Sequence, residues 1–535
     1  MKNKRLNMLA AMMMLLFVSS AALAQYGSVE KITAANLKNH LTFIAADAME
    51  GRDTGSRGLK TAANYIAAHL ERWGVKPAGD EGSYFQKITL LKHTVDLDQT
   101  SVKINDQTFT FGDDYLAQPA TASASGKMVY VSHGWVIKDK NINPYEGIDV
   151  KGKIMVVSES LPPGMSFRDL RGAGEIVRPD QYGREHGALG AIIIPGGRSL
   201  GRWERNRERA TETGVIEVEK FKSEEEAEEL PIITAAENLV KVLFEDEKHN
   251  AEAVLAAANG GDEVPAFELG AEKTASLNIV SSTENGYTQN VVGIVEGKDS
   301  KLKNEYVAIG AHYDHVGIGR AIDGDDLYNG ADDDGSGTVS VLNIAEAFAT
   351  GAKPKRSILF VWHTGEEKGL WGSRYFNEFP TVPHEQIVAQ LNIDMVGRSR
   401  AEGDTNPAND ELAGPNEVYV IGSKMMSTEL GELSEKVNNS YLKLDFNYKY
   451  DDPNDPQRFF YRSDHFNYAR HGIPIIFYFT GVHEDYHRPS DTIDKIDFVK
   501  MEKIARTIYA TGWELANRNK RPEVDKPLPE QLSGR

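Results

Sequence analysis

Five short stretches of this sequence carry side chains that can hold a metal ion and move a proton. In Gly310-Ala311-His312-Tyr313-Asp314-His315, an imidazole leaving a strand can ligate a metal, and Asp314, two residues on, can accept its other ring N–H and fix the tautomer. His315 is either a support behind such a ligand or a polar neighbour. Asp332, Asp333 and Asp334 run straight into Gly335-Ser336-Gly337 and a helix. Three adjacent carboxylates repel one another and call either for a cation or for solvation at a helix N-terminus. Glu366 and Glu367 share a turn flanked by glycine, from which one can face a metal while its neighbour handles protons. Asp394 ends an apolar strand, a costly place for a carboxylate unless it is paired or metal-bound. His487 comes from a late loop, next to Tyr486.

Positioning these groups calls for an α/β fold, with a mixed, mostly parallel central sheet flanked by helices. Residues 306–310, 357–362, 390–394, 418–421 and 475–479 read as buried strands, and 338–349, 426–437 and 498–515 as the helices covering them. Four of the five stretches fall at the carboxyl end of a strand, where open α/β sheets place their ligand crevice. Upstream, 32–91 has a helical pattern, with Leu37, Leu41, Ile44 and Ala45 on one face and Ala62, Ile66, Leu70 and Trp73 on another. A polar glycine loop, 50–56, joins the two. The character changes over 95–269 to short β-rich runs (127–131, 153–158, 188–194) punctuated by Gly and Pro. This predicts a catalytic domain of 25–94 and 270–520, an inserted β-rich module of 95–269, and a tail of 521–535. Within the module, the charge-dense 202–229 is expected to be a mobile or solvated excursion.

The basic start Met1-Lys2-Asn3-Lys4-Arg5, an apolar run over 8–18 and the small residues Ala22-Leu23-Ala24 predict a secretory signal cut after Ala24. The apolar run is shorter than the roughly 20 residues of a spanning helix. The expectation is therefore a secreted or periplasmic protein without stable membrane insertion. Among 535 residues there is no cysteine, which excludes disulfides, thiolate ligands and a cysteine nucleophile. Any metal must be held by His, Asp and Glu. A formal net charge of −19 argues against binding nucleic acid or an anionic membrane.

In carrying His, Asp, Glu-Glu, Asp and His in that order, the chain resembles the co-catalytic two-zinc exopeptidases. These include bacterial secreted leucyl aminopeptidases, glutamate carboxypeptidase and the catalytically inactive transferrin receptor ectodomain. The inserted module resembles their protease-associated domain. The resemblance implies two Zn2+ ions per chain, one on His312 and Asp394, the other on Glu367 and His487. Asp333, separated by two residues from Ser336-Gly337, matches the family's bridging aspartate, and Asp333–Asp334 its cis peptide. It also implies that Glu366 is the general base for an activated water, that Tyr486 helps to stabilise the oxyanion, and that peptides are the substrates.

The expected activity is removal of amino-terminal residues. A carboxypeptidase or dipeptidase would need a basic cluster, for which Arg398, Arg400, Arg462 and Arg488 are the available residues. A non-catalytic binding protein on this scaffold would be expected to have lost ligands. Ser463-Asp464-His465, three consecutive residues, cannot adopt triad geometry and is expected to be structural support. The acidic stretches 323–326 and 404–417 lack calcium-loop spacing and are expected to be solvated loops.

Overall fold

A computed structural model of the chain describes residues 26–171, 174–222 and 230–529. The expected signal at 1–24 lies outside the described residues. The chain divides into two units, one formed by 26–88 with 287–529, the other by Thr89–Gly286.

The first unit is built on a mixed sheet of strands β1 (Ser281–Val295), β2 (Tyr306–His312), β3 (Ser357–His363), β4 (Ile387–Ile393), β5 (Glu417–Ile421), β6 (Asp445–Asn447) and β7 (Ile475–Phe479). Their order is β1-β3-β2-β4-β7-β5-β6. The central four, β3-β2-β4-β7, are parallel throughout, so their carboxyl ends share one edge. Strands β1 and β5 flank them antiparallel. Parallel strands need crossovers, which cover both faces with helices and make the strands continuous apolar runs. Every residue of β3 and β4 is buried.

Alternate side chains divide this core. Ile309, Phe360 and Trp362 pack on one face with residues of helices α1 (Ala34–Ile44), α2 (Arg57–Arg72), α3 (Gly337–Ala349) and α7 (Phe498–Asn517). Ala308, Leu359 and Val361 pack on the other with α4 (Trp371–Glu378) and α6 (His465–Arg470). Helix α5 (Thr428–Ser440) adds Leu430 and Val437 to the first face. Helices α1 and α2 start where the sequence offers caps: Thr33 accepts from Asn36 N, and Ser56 from Leu59 N.

Two boundaries differ from expectation. Phe85–Val95 is a strand, where the pattern over 32–91 read as helical. This strand and β1 run unbroken across the division, which falls at 88/89 and 286/287 rather than 94/95 and 269/270. The amino-terminal half of β1 is exposed and polar, so its periodicity carried no strand signal.

In the second unit, Ala122–Tyr130, Ile154–Ser158, Gly190–Ile194 and Ile232–Ala235 are parallel neighbours. Helices Glu237–Leu243 and Ala251–Ala258 pack Leu239, Val240 and Val254 against the core residues Ile154, Val156 and Ile192. The module is thus rich in strands but not purely β. The charged stretch is also folded in its described part: Trp203–Glu208 is helical and Val215–Val218 pairs with Leu90–His93. Trp203 Nε1 donates to the Gly112 carbonyl at 2.6 Å, so an aromatic anchor holds a segment that composition alone assigns to solvent; 223–229 lie outside the described residues. Among the described residues no helix is long and apolar enough to cross a membrane.

One buried cation ties the loops of the first unit together. The Arg52 side chain is fully buried. Its guanidinium donates to four backbone carbonyls, those of Tyr313 (3.0 Å), Ile44 (2.8 Å), Asn329 (2.7 Å) and Gly330 (2.8 Å). These carbonyls lie just after β2, at the end of α1 and just before Asp332. Replacing the fork with an apolar side chain leaves four acceptors without donors. Arg52→Met is therefore expected to lower unfolding free energy by about 3–5 kcal/mol, read as a lower denaturant midpoint; an unchanged midpoint would contradict this role.

Candidate metal centre

The shared edge of the parallel strands gathers the expected ligands. His312 is the last residue of β2 and pairs in register with His363, the last of β3. Glu366 and Glu367 follow β3, Asp394 follows β4 and His487 follows β7, while Asp332–Asp334 precede α3. His312 Nε2 lies 3.4 Å from Asp333 Oδ1 and 3.6 Å from Asp394 Oδ1. His487 Nε2 lies 3.1 Å from Asp333 Oδ2 and 3.0 Å from Glu367 Oε2. Asp333 therefore turns one oxygen to each imidazole. Donors around a tetrahedral ion with bonds near 2.0–2.1 Å sit roughly 3.3 Å apart, so the imidazole–carboxylate distances in each set of three donors fit shared ligation of one ion with a fourth position open. The donor set is nitrogen and carboxylate oxygen, which suits zinc.

The three consecutive aspartates point in three directions, and their peptide Asp333–Asp334 is cis. Asp332 accepts from Gly397 N at 2.6 Å and lies 3.1 Å from His483 Nε2. Asp334 Oδ1 accepts from Gly337 N at the start of α3 and from Met395 N. Its Oδ2 is buried with no hydrogen-bond donor, near His312 and Asp394. Such an orphaned oxygen in a donor cluster also fits a cation. Asp491, which the sequence reading did not single out, accepts from the backbone N–H of both Asp332 and Asp333 at 3.0–3.1 Å. It holds the turn from which Asp333 reaches out. Its only sequence signal is a carboxylate four residues beyond His487.

Other expected groups fall close to these ligands, with some changes of partner. His312 Nδ1 is 3.1 Å from the backbone carbonyl of Asp314 and 3.7 Å from its carboxylate. The Asp314 carboxylate instead accepts from Thr54 Oγ1 (2.9 Å) and Glu366 N (3.1 Å), so it fixes the backbone of Glu366 as well as flanking His312. His315 Nδ1 lies 2.9 Å from Glu367 Oε1 and 3.7 Å from Asp333 Oδ2. With Asp333 and Glu367 it forms a group whose donor atoms lie close enough together to hold a cation. Tyr486 stacks on His487, with ring centroids 3.9 Å apart.

The Ser463-Asp464-His465 run forms no triad. Ser463 donates to Asp394 Oδ2 at 2.7 Å, whereas His465 Nε2 faces the Phe460 carbonyl at 2.8 Å. Of the four arginines, Arg398 is committed to Asp485 and Arg400 to Asp410, Arg488 is exposed, and Arg462 lines a recess beside Glu366.

Electrostatics follow from this crowding. Burial disfavours charge on His312, yet Asp394 and Glu366, helped by Asp314 and Asp333, hold its pKa well above the ordinary imidazole value. His487 is raised to about 10: burial again opposes, and Asp333 and Glu367 prevail. Burial favours the neutral forms of Asp333 and Glu367, but the neighbouring imidazoles hold both below their usual values. Glu366 goes the other way, well above, because burial and the charges of Glu367 and Asp394 outweigh His312. Imidazoles kept protonated by surrounding carboxylates mark a centre with more negative charge than the protein itself balances, and a divalent cation would displace those protons.

Residues 290–512 match the model of Peptidase family M28. The chain is 27% identical over 279 residues to leucine aminopeptidase 2 of Trichophyton rubrum, covering 47% of this chain and 50% of that protein. It is 28% identical over 236 residues to a probable leucine aminopeptidase of Trichophyton verrucosum, covering 42% and 57%. The chain thus spans about half the length of the curated relatives it matches. Its fold is shared with the aminopeptidase from Aneurinibacillus sp. strain AM-1, with a TM-score of 0.52, 18% identity, and 94% and 98% of the two chains covered. The segment 290–512, which matches the Peptidase family M28 model, carries all five candidate ligands.

Proposed function

We propose that this protein is a secreted or periplasmic two-zinc aminopeptidase that removes apolar amino-terminal residues from peptides. The observation that carries the reading is Asp333, whose two carboxylate oxygens face two separate imidazole and carboxylate sets. His312 and Asp394 would hold one zinc, Glu367 and His487 the other, with Asp333 between them. When bound, the pair of ions polarises the scissile carbonyl and lowers the pKa of the attacking water.

The chain's own residues supply the rest. Glu366, partly buried and poised well above the ordinary carboxyl value, takes the proton from water and returns it to the leaving amine. Asp314 acts through Glu366 and His312, fixing the backbone of one and flanking the ring of the other. Tyr486, with burial pushing its phenol well above the usual value, stays protonated and can donate to the oxyanion. Next to Glu366, Met395, Phe459, Phe477, Phe479 and Val482 line a shallow recess of about 30 Å3, an apolar wall that the terminal side chain would face. The surrounding carboxylates favour a protonated amino terminus over a terminal carboxylate. The unit Thr89–Gly286 is read as the protease-associated domain.

Arg462 in the same recess favours one alternative, recognition of a carboxyl terminus. Unblocked, amino-acetylated and carboxyl-amidated peptides separate the two. The expected products are single residues lost from the amino end, with acetylation blocking the reaction and amidation leaving it intact. The reverse pattern would establish a carboxypeptidase. Glu366→Gln is expected to lower kcat by roughly 10²–10⁴-fold with zinc content unchanged; full activity in this variant would remove Glu366 from the proposed role.

The protonated imidazoles give a signed pH dependence. A zinc ligand must be deprotonated, and His487 holds its proton up to about 10 in the metal-free protein. Zinc affinity is therefore expected to rise with pH from neutrality toward that value, with proton release on binding. Competition with a chelator at several pH values measures it, and a pH-independent affinity over that range would contradict the assignment.

A further inference from the structure

The unit Thr89–Gly286 contains a cavity of about 790 Å3 whose described lining residues all belong to it. Tyr130 and Ser132 line it at the end of Ala122–Tyr130, Ser158 and Glu159 at the end of Ile154–Ser158, and Ile193 and Gly196 at the end of Gly190–Ile194. These three strands are parallel neighbours. The cavity therefore lies at the carboxyl edge of a parallel sheet, where α/β proteins bind ligands. Its volume is in the range of small-ligand sites, about 300–1,000 Å3.

The lining decides what could enter. Trp135, Leu161, Pro162, Met165 and Pro179 give it apolar walls. Several donors around it are turned onto the cavity's own residues. Gly196 N and Ser199 Oγ donate to Glu159 at 3.0 and 2.7 Å, Gly197 N donates to Asn259 at 2.6 Å, and Ser132 Oγ donates to Glu263 at 3.1 Å. Against the carboxylates of Glu159 and Glu263 stands one permanent cation among the described lining residues, Arg198.

His133 adds no charge. Burial holds its pKa below the ordinary value, and its Nδ1 accepts from Trp135 N at 3.0 Å. The ring proton is therefore on Nε2, 3.5 Å from Glu263. The Glu263 side chain remains 42% exposed, which leaves it able to meet a ligand. A ligand here must bring an apolar body, hydrogen-bond donors and positive charge.

We infer that this cavity binds a peptide segment in which a lysine or arginine stands beside an apolar residue, the apolar side chain against Trp135 and the cation on Glu263. The site shares no residue with the proposed zinc centre and needs no free amino terminus.

Calorimetric titration of the full chain with acetyl-Leu-Lys-Leu-amide and acetyl-Leu-Glu-Leu-amide tests this, since neither peptide offers the amino terminus that hydrolysis requires. The lysine peptide is expected to bind at least about ten-fold tighter than the glutamate peptide. Glu263→Gln and Trp135→Ala should each weaken it by roughly ten-fold, with hydrolysis of leucine p-nitroanilide unchanged. Trp135→Phe should retain binding, which separates loss of the wall from loss of the fold. Equal affinities for the two peptides, no binding of either, or undiminished binding in Glu263→Gln and Trp135→Ala would each overturn the inference. Because the readout is binding of blocked peptides, it stands or falls independently of the proposed hydrolytic activity.

Discussion

The structure is organised around a concentration of carboxylates that the protein alone does not neutralise. Asp314, Asp333, Asp334, Asp394, Glu366 and Glu367 converge on one sheet edge, nearly all out of contact with water. Unpaired buried charge is costly, and mutual repulsion adds to that cost. Two responses are visible. Some carboxylates are committed to backbone N–H groups, as with Asp332 on Gly397, Asp334 on Gly337 and Met395, and Asp491 on Asp332 and Asp333. Others face imidazoles that are held protonated, as Asp333 and Glu367 do with His487. The second arrangement exchanges naturally with metal ions, because each bound proton occupies a ligand position.

Rigid supports keep that cluster in place. Four parallel strands bring the loops with the candidate ligands to a common edge, and the Arg52 guanidinium fixes the loop carbonyls around the Asp332–Asp334 turn. Left-handed backbone at Met395 (φ 51°) and His487 (φ 54°) occurs beside or at a candidate ligand, a conformation that persists only when its surroundings enforce it. Ser463 orients Asp394. A metal centre depends on this outer layer as much as on its ligands.

Much of this was legible in the sequence because of physical constraints that act locally. Strands buried on both faces must be apolar runs, so 306–310, 357–362 and 475–479 stood out, and the residues just beyond them were natural candidates for a crevice. What the sequence concealed depends on distant partners. Arg52 sits in a polar glycine loop that reads as exposed, and its acceptors are backbone carbonyls from 44, 313, 329 and 330, which leave no mark on residue type. Strand β1 is apolar only where the sheet covers it. The folding of 203–218 rests on one tryptophan and a strand pairing that its charge density hides. Asp314 was expected to serve His312 through its carboxylate, and the chain instead gives that ring its carbonyl and spends the carboxylate on Thr54 and Glu366.

The most direct test of the central claim is anomalous diffraction at the zinc edge from crystals of the zinc-loaded protein. The account predicts two peaks on either side of the Asp333 carboxylate, one bounded by His312 and Asp394, the other by Glu367 and His487. A single peak, or peaks that Asp333 does not bridge, would contradict it.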